Sequence, residues 1–165
     1  MSAVLSHVLQ WRRSERVDVD ALLNLEQRLY SHPWSRANFV DSLAGGHWAW
    51  QAGLVATGPA LAVYWLAMPV LDELHLLNLA VHPDFWGQGL AQQGLEHLLE
   101  QAKGQDMIEV WLEVRESNRR AQALYLRNGF EAVGRRRAYY PSGPLGSHDR
   151  EDALLMRKNL RDDTR

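Results

Sequence analysis

Apolar residues recur along this chain with two different periods. In DALLNLEQRLY, residues 20–30, Leu22, Leu25 and Leu29 fall three and four apart, the spacing of one helix face. In IEVWLEV, residues 108–114, Ile108, Val110, Leu112 and Val114 alternate with Glu109, Trp111 and Glu113, which predicts a strand with two unlike faces. Between the helical stretches lie breakers. Pro33 disfavours helix at His32, and Ser35 suits the N-cap of a second helix, RANFVDSLA, which Gly45 and Gly46 close. VLQWRR at the start reads as a short strand. WAWQAGLVA, PALAVYWLA and LHLLNLAV read as three successive strands in a meander, parted by TGP and PVLDE.

Residues 89–103 predict a helix with Ala91, Leu95, Leu98 and Ala102 along one stripe. NRRAQALYLRN predicts another, capped by Asn118 and ended by Gly129. FEAVGRRRAYY and EDALLMRKNL are the last strands, joined by PSGPLGSHDR. The order is strand, two helices, three strands, helix, strand, helix, two strands. A mixed sheet of about seven strands with helices on both faces, an α/β (α+β) fold, buries all of these faces. Residues 1–160 are expected to form a single domain, followed by a polar tail at 161–165 that is expected to fray.

Composition narrows the function. At 165 residues the chain suits one domain, able to bury roughly two thirds of its unfolded surface. A formal net charge of -2 argues against broad binding to nucleic acid or to anionic membrane. With no cysteine, disulfides and a cysteine nucleophile are excluded, and a cytoplasmic location is expected. The basic residues of MSAVLSHVLQWRR follow its apolar part, unlike a signal peptide. The longest apolar segment, PALAVYWLAMPVL, is too short and too interrupted by Pro69 to span a bilayer. Seven histidines show neither HxH nor HExxH spacing, so no metal is expected. A monomer is the simplest assembly. Seven tryptophans exceed the usual share; most suit core packing, and one or two suit a ligand or peptide groove.

HPDFWGQGLAQQG, residues 82–94, joins a predicted strand to a predicted helix. Gly87 and Gly89 sit at the joint, and the segment holds no Lys or Arg. A helix N-terminus offers unpaired N–H groups and partial positive charge, so its backbone can hold phosphate without a cation. Gly87, Gly89 and Gln92 miss the GxGxxG pattern, and no GK[ST] is present, which excludes a nucleoside-triphosphatase loop.

Taken together, LLNLAVHPDFWGQGLAQQGLEHLL, WLEVRESNRRAQALYLRNGF and RAYYPSGPLGSHDREDALLM resemble the GNAT family of acetyl-CoA-dependent N-acetyltransferases. Within it they are most similar to the bacterial branch that acetylates the N-terminal alanine of a small-subunit ribosomal protein. PWS at 33–35 matches as well, and the resemblance runs from about residue 20 to 158. Trp86 departs from it, standing where the family usually has Gln or Arg. Either cofactor binding is weaker for it, or Arg119 or Arg120 on the next helix compensates.

The resemblance implies that LHLLNLAV and IEVWLEV splay apart to take the pantetheine arm of acetyl-CoA. Backbone groups of Leu79, Ala80 and Val81 would bond the arm and polarise the acetyl carbonyl. Gly87, Gln88, Gly89, Leu90, Ala91 and Gln92 would hold the pyrophosphate. Asn118 would contact the cofactor, a role compatible with capping its helix. Glu113 would serve as general base, directly or through a water, and Tyr125 would protonate the leaving thiolate. Trp34, Tyr139 and Tyr140 would border the groove for the acceptor peptide. Arg135, Arg136 and Arg137 read as an alternating strand surface.

The implied reaction is direct transfer in a ternary complex to the α-amino group of the alanine. Two alternatives stay open at this point. One is acetylation of another N-terminus, a lysine or a small amine; the other is a non-catalytic acyl-CoA-binding module.

Overall fold

The computed structural model describes residues 8–56 and 60–164. Among the described residues seven strands are present: β1 (Leu9–Arg13), β2 (Trp48–Leu54), β3 (Val63–Val70), β4 (Glu73–Val81), β5 (Glu109–Arg115), β6 (Glu131–Pro141) and β7 (Arg150–Asn159). Four α-helices accompany them: α1 (Val19–Leu29), α2 (Arg36–Ala44), α3 (Leu90–Gly104) and α4 (Arg119–Arg127). The strands hydrogen-bond in the order β1-β2-β3-β4-β5-β7-β6. β2, β3 and β4 are therefore neighbours in chain order, as the expected three-stranded meander requires, and the sheet is mixed because β4 and β5 pair in parallel whereas β5 and β7 pair antiparallel. Pro69 lies inside β3 rather than beyond it, since its neighbours Met68 and Val70 are already partly exposed. None of the described helices is long and apolar enough to cross a membrane.

Contacts divide the chain into two compact units. The first contains residues up to Leu66 together with Asn78–Leu95. Its core gathers Val19, Leu22 and Leu25 of α1 with Phe39, Ala49, Tyr64, Leu66 and Ala80. The helical spacing of the leucines brings them to this face. Ser35 caps α2 as expected, with its hydroxyl accepting the Asn38 N–H while the Asn38 side chain accepts the Ser35 N–H. A smaller cluster of Leu54, Ala62 and Leu90 has Leu9, Val81 and Phe85 packed against it, seating the strand-to-helix turn.

The second unit contains Ala67–Leu77 and residues from Glu96 onward. Val110, Leu112 and Val114 are buried on one face of β5, while Glu109, Trp111, Glu113 and Arg115 are half-buried on the other. β4 and β5 pair over four residues, from Glu73 with Glu109 to Leu76 with Leu112, and β7 flanks the whole of β5 on its other side. The C-terminal segment corrects the sequence reading. Leu160–Thr164 forms a 3-10 turn instead of fraying, because Asp163 sits 2.9 Å from Lys103 and 3.0 Å from Lys158. Two ammonium groups on one carboxylate tie down a segment whose composition alone suggests mobility.

Candidate active site

In the first unit, β4 runs through Leu79, Ala80 and Val81 into a single 3-10 turn at Pro83–Phe85. The chain then passes Trp86 to Gly87 (φ 74°), Gln88 and Gly89 (φ 77°) before α3 begins at Leu90. A Cβ on either glycine would meet nothing within 4 Å, so the requirement for glycine here is the left-handed backbone and not lack of space. Leu90 is buried, and this anchors the first turn of α3. The opening amides of α3, beginning with Leu90 and Ala91, have no carbonyl one turn earlier in the helix. Gly94 lies against the strands: a Cβ there would come 2.9 Å from Leu79 and 3.3 Å from Val63, so its bareness lets α3 approach β4 closely.

Trp86 is more than half exposed and donates its indole N–H to the Val81 carbonyl at 2.9 Å. The His82 N–H donates to Ala62 at 2.8 Å. Together these bonds hold the end of β4 in a fixed path.

In the second unit, Glu113 stands on the polar face of β5. Its Oε1 receives Nε of Arg136 at 2.8 Å, and its backbone carbonyl accepts the Tyr140 hydroxyl at 3.2 Å. The Glu113 carboxylate beside it, and burial, raise the Tyr139 phenol above its usual range. The Tyr140 phenol is raised too, first by burial and then by the charge of Glu113. The two tyrosine rings meet edge to face with centroids 4.9 Å apart.

A distortion in β6 creates this arrangement. Arg136 pairs with Ala153 but Tyr140 with Glu151, so the β6 segment between them is longer than its β7 counterpart. Ala138, inside the bulge, takes φ 50° and donates its N–H to Asp152 at 2.8 Å.

Tyr125 lies on the buried face of α4, and no side chain among the described residues hydrogen-bonds its hydroxyl. Desolvation raises this phenol to about 12. Its ring packs on Phe130 at 5.6 Å. Buried Gln122, one turn earlier, donates to the carbonyls of Arg115 and Glu116 at 3.0 and 2.8 Å, so α4 is tied to the end of the strand that carries Glu113. One unit thus holds a carboxylate and an unpartnered buried phenol in fixed positions; the other holds a glycine turn leading into a helix N-terminus.

Comparison with known proteins decides the family. Residues 19–130 match the model of the acetyltransferase (GNAT) family. The chain belongs to that family. It is 38% identical over 142 residues to the [Ribosomal protein bS18]-alanine N-acetyltransferase of Escherichia coli K12, covering 86% of this chain and 91% of the relative. The Haemophilus ducreyi enzyme of the same name is 34% identical over 143 residues, with 84% and 92% covered. The crystal structure of the ribosomal-protein-S18-alanine N-acetyltransferase from Escherichia coli superposes with a TM-score of 0.84 at 35% identity, over 93% of this chain and 94% of that one. Arabidopsis thaliana NAA60 in complex with acetyl-CoA shares the fold, with a TM-score of 0.80 at 18% identity over 93% and 99%.

Other expected site residues of this GNAT protein have visible structural roles. Asn118 caps α4, its side chain accepting the Ala121 N–H at 3.1 Å. Trp34 packs on Phe39 at 5.4 Å, which anchors the segment between α1 and α2.

Four further residues hold the site together without having been legible as such in the sequence. Arg135 and Arg136 lie on the exposed surface of β6, as their strand pattern predicts, and pair across it: Arg136 with Glu113, and Arg135 with Glu116 at 2.6 Å and Asp152 at 3.2 Å. Arg115 donates to the Pro141 carbonyl and to Glu151, and lies 4.5 Å from the centre of the Tyr140 ring. It braces the tyrosine from behind. Glu26 is buried and accepts three hydrogen bonds: from the Trp34 N–H at 3.0 Å, the Tyr64 hydroxyl at 2.6 Å and the Asn78 amide at 2.7 Å. A glutamate on the apolar side of α1 signals such a network, but its donors come from distant positions in the chain. Among the described residues, no group of three or more His, Asp or Glu could hold a metal ion.

Proposed function

We propose that this GNAT protein transfers the acetyl group of acetyl-CoA to the α-amino group of an N-terminal alanine of a small-subunit ribosomal protein. The reading treats residues 1–160 as one catalytic domain acting in the cytoplasm. The observation that carries it is the pairing of roles in the second unit: Glu113, held by Arg136 and Tyr140, beside an α4 that carries the unpartnered phenol of Tyr125. The Escherichia coli and Haemophilus relatives, both named for acetylating the alanine of ribosomal protein bS18, support the acceptor.

The first unit fits acetyl-CoA on its backbone alone. Gly87 and Gly89 adopt left-handed φ with open space around them, and the first amides of α3 follow directly. Gly87, Gln88, Gly89, Leu90, Ala91 and Gln92 hold the pyrophosphate through N–H groups. Leu79, Ala80 and Val81 hold the pantetheine arm, and an N–H aimed at the acetyl carbonyl stabilises its developing negative charge. Asn118 touches the cofactor while capping α4. Trp34, Tyr139 and Tyr140 line the acceptor path.

An α-amino group, with an ordinary pKa of ~7.7–8.0, is partly neutral near pH 7, whereas a lysine at ~10.4 is neutral about once in a thousand molecules. Glu113 therefore needs only modest basicity for an N-terminus. Tyr125 donates to the departing thiolate. With its phenol at about 12 and a thiol near ~8.5, complete transfer is uphill by about 5 kcal/mol, so Tyr125 acts by a hydrogen bond that shortens as charge develops on sulfur.

The test is acetyl transfer, read by mass shift, to short peptides that differ only in their first residue. Peptides with a blocked N-terminus and a free lysine complete the set. Selective modification of the alanine peptide is the expected result. No product on any peptide despite acetyl-CoA binding would favour a small-amine acceptor or a binding module.

A further inference from the structure

Glu113 already holds a cation. Arg136 contacts its Oε1 at 2.8 Å through Nε. The Arg136 side chain is more than half exposed, so water competes for it. Its guanidinium carbon lies 5.5 Å from the centre of the Tyr139 ring, and Tyr140 stands edge-on to that ring. Carboxylate and aromatic faces are what a small organic cation seeks. No other cation is paired with Glu113 among the described residues: Arg115 is engaged with Glu151 and the Pro141 carbonyl. Arg135 is engaged with Glu116 and Asp152.

We propose that Glu113, Tyr139 and Tyr140 form a recognition site for the acceptor's α-ammonium group, and that Arg136 is the resident cation this group must displace. The idea rests on the reading of Glu113 as the base for an N-terminal amine. It deepens that reading by specifying how the amine arrives: protonated, exchanging with a side chain of the protein before it gives up its proton. An ion pair whose arginine is more than half exposed is weak, so the exchange costs little, yet a neutral N-terminus cannot perform it. The site thereby discriminates by charge as well as by shape. The β6 bulge matters because it carries Arg136 and Tyr139 to the same carboxylate.

The experiment measures binding apart from turnover. An alanine-starting peptide, and the same peptide with its N-terminal amino group replaced by hydrogen, are titrated calorimetrically in the presence of CoA. The proteins are wild type, R136Q and R136K, each checked for an unchanged melting temperature. R136Q should bind the amine peptide about three- to fivefold tighter and the des-amino peptide unchanged, while R136K, which keeps the competing charge, stays near wild type. Weaker or unchanged binding of the amine peptide by R136Q, an equal gain for both peptides, or an R136K that behaves like R136Q would each overturn the exchange. If wild type acetylates the amine peptide while R136Q shows no such gain, the acetyltransferase reading stands and the exchange falls. If wild type transfers nothing and neither peptide binds any of the proteins, both fall.

Discussion

The indole N–H of Trp86 donates to the carbonyl of Val81, 2.9 Å away, so the residue that replaces the family's usual Gln or Arg is bonded back to the strand preceding the glycine turn. Trp86 stabilises the turn as a neutral brace, so under the proposed function phosphate binding would fall to backbone amides. Restoring a cation with W86R should tighten acetyl-CoA binding by about three- to tenfold at low salt, a gain that shrinks as ionic strength rises. Calorimetric titration at two salt concentrations checks this. A salt-independent gain would mean that the charge is not what helps.

Glu113 and Tyr125 carry the proposed proton transfers, and neither anchors the cofactor turn. E113Q and Y125F should each slow acetyl transfer more than about tenfold while leaving acetyl-CoA affinity nearly unchanged. Because the Tyr125 hydroxyl has no hydrogen-bond partner among the described residues, Y125F should also keep the wild-type melting temperature. Steady-state kinetics, with a thermal melt on the same samples, would expose a purely structural role as a lowered melting point at normal turnover.

Glu26 accepts three hydrogen bonds while buried, one of them from the Trp34 backbone. In E26Q one of the accepting oxygens becomes a donor that faces other donors, which should cost about 2 kcal/mol or more. The α1–α2 segment would loosen with it. Urea denaturation measures the loss, and the acceptor KM should rise more than kcat falls. Stability within error of wild type would show that the network relaxes around the amide.

His97 on α3 is held well below its usual range, at about 4, by burial. Its unfolded value is near ~6.5, so the folded chain resists protonating it. Lowering the pH through the window from ~6.5 to about 4 therefore removes stability, and above that window His97 contributes no pH dependence. In H97Q the melting temperature should vary less across this range than in wild type. A pair of superimposable curves would assign the acid sensitivity to other groups.

Much of the architecture is legible in the sequence. The alternation of Val110, Leu112 and Val114 with Glu109, Trp111 and Glu113 placed β5 and its polar face, because a strand's period of two leaves no other choice. Ser35 and Asn118 marked helix starts because a short oxygen-bearing side chain can bond the free amides there. Gly87 and Gly89 announced left-handed backbone, which few other residues tolerate. The turn at Leu160–Thr164 is not legible in the sequence, because the hydrophilicity of the tail hides the two lysines, from α3 and β7, that meet Asp163.

By itself the sequence determined the order of elements, their buried faces, the glycine turn and the family, since each depends on neighbours a few residues apart or on local motifs. Only the tertiary structure decided that Arg136 sits on Glu113, that Trp86 turns back to Val81 and that Glu26 gathers Trp34, Tyr64 and Asn78. Such pairings depend on strand register, on a bulge that shifts it, and on where polar side chains find partners once water is excluded. Hydrophobic periodicity reports which face is buried. It carries no information about which charge finds which across the sheet.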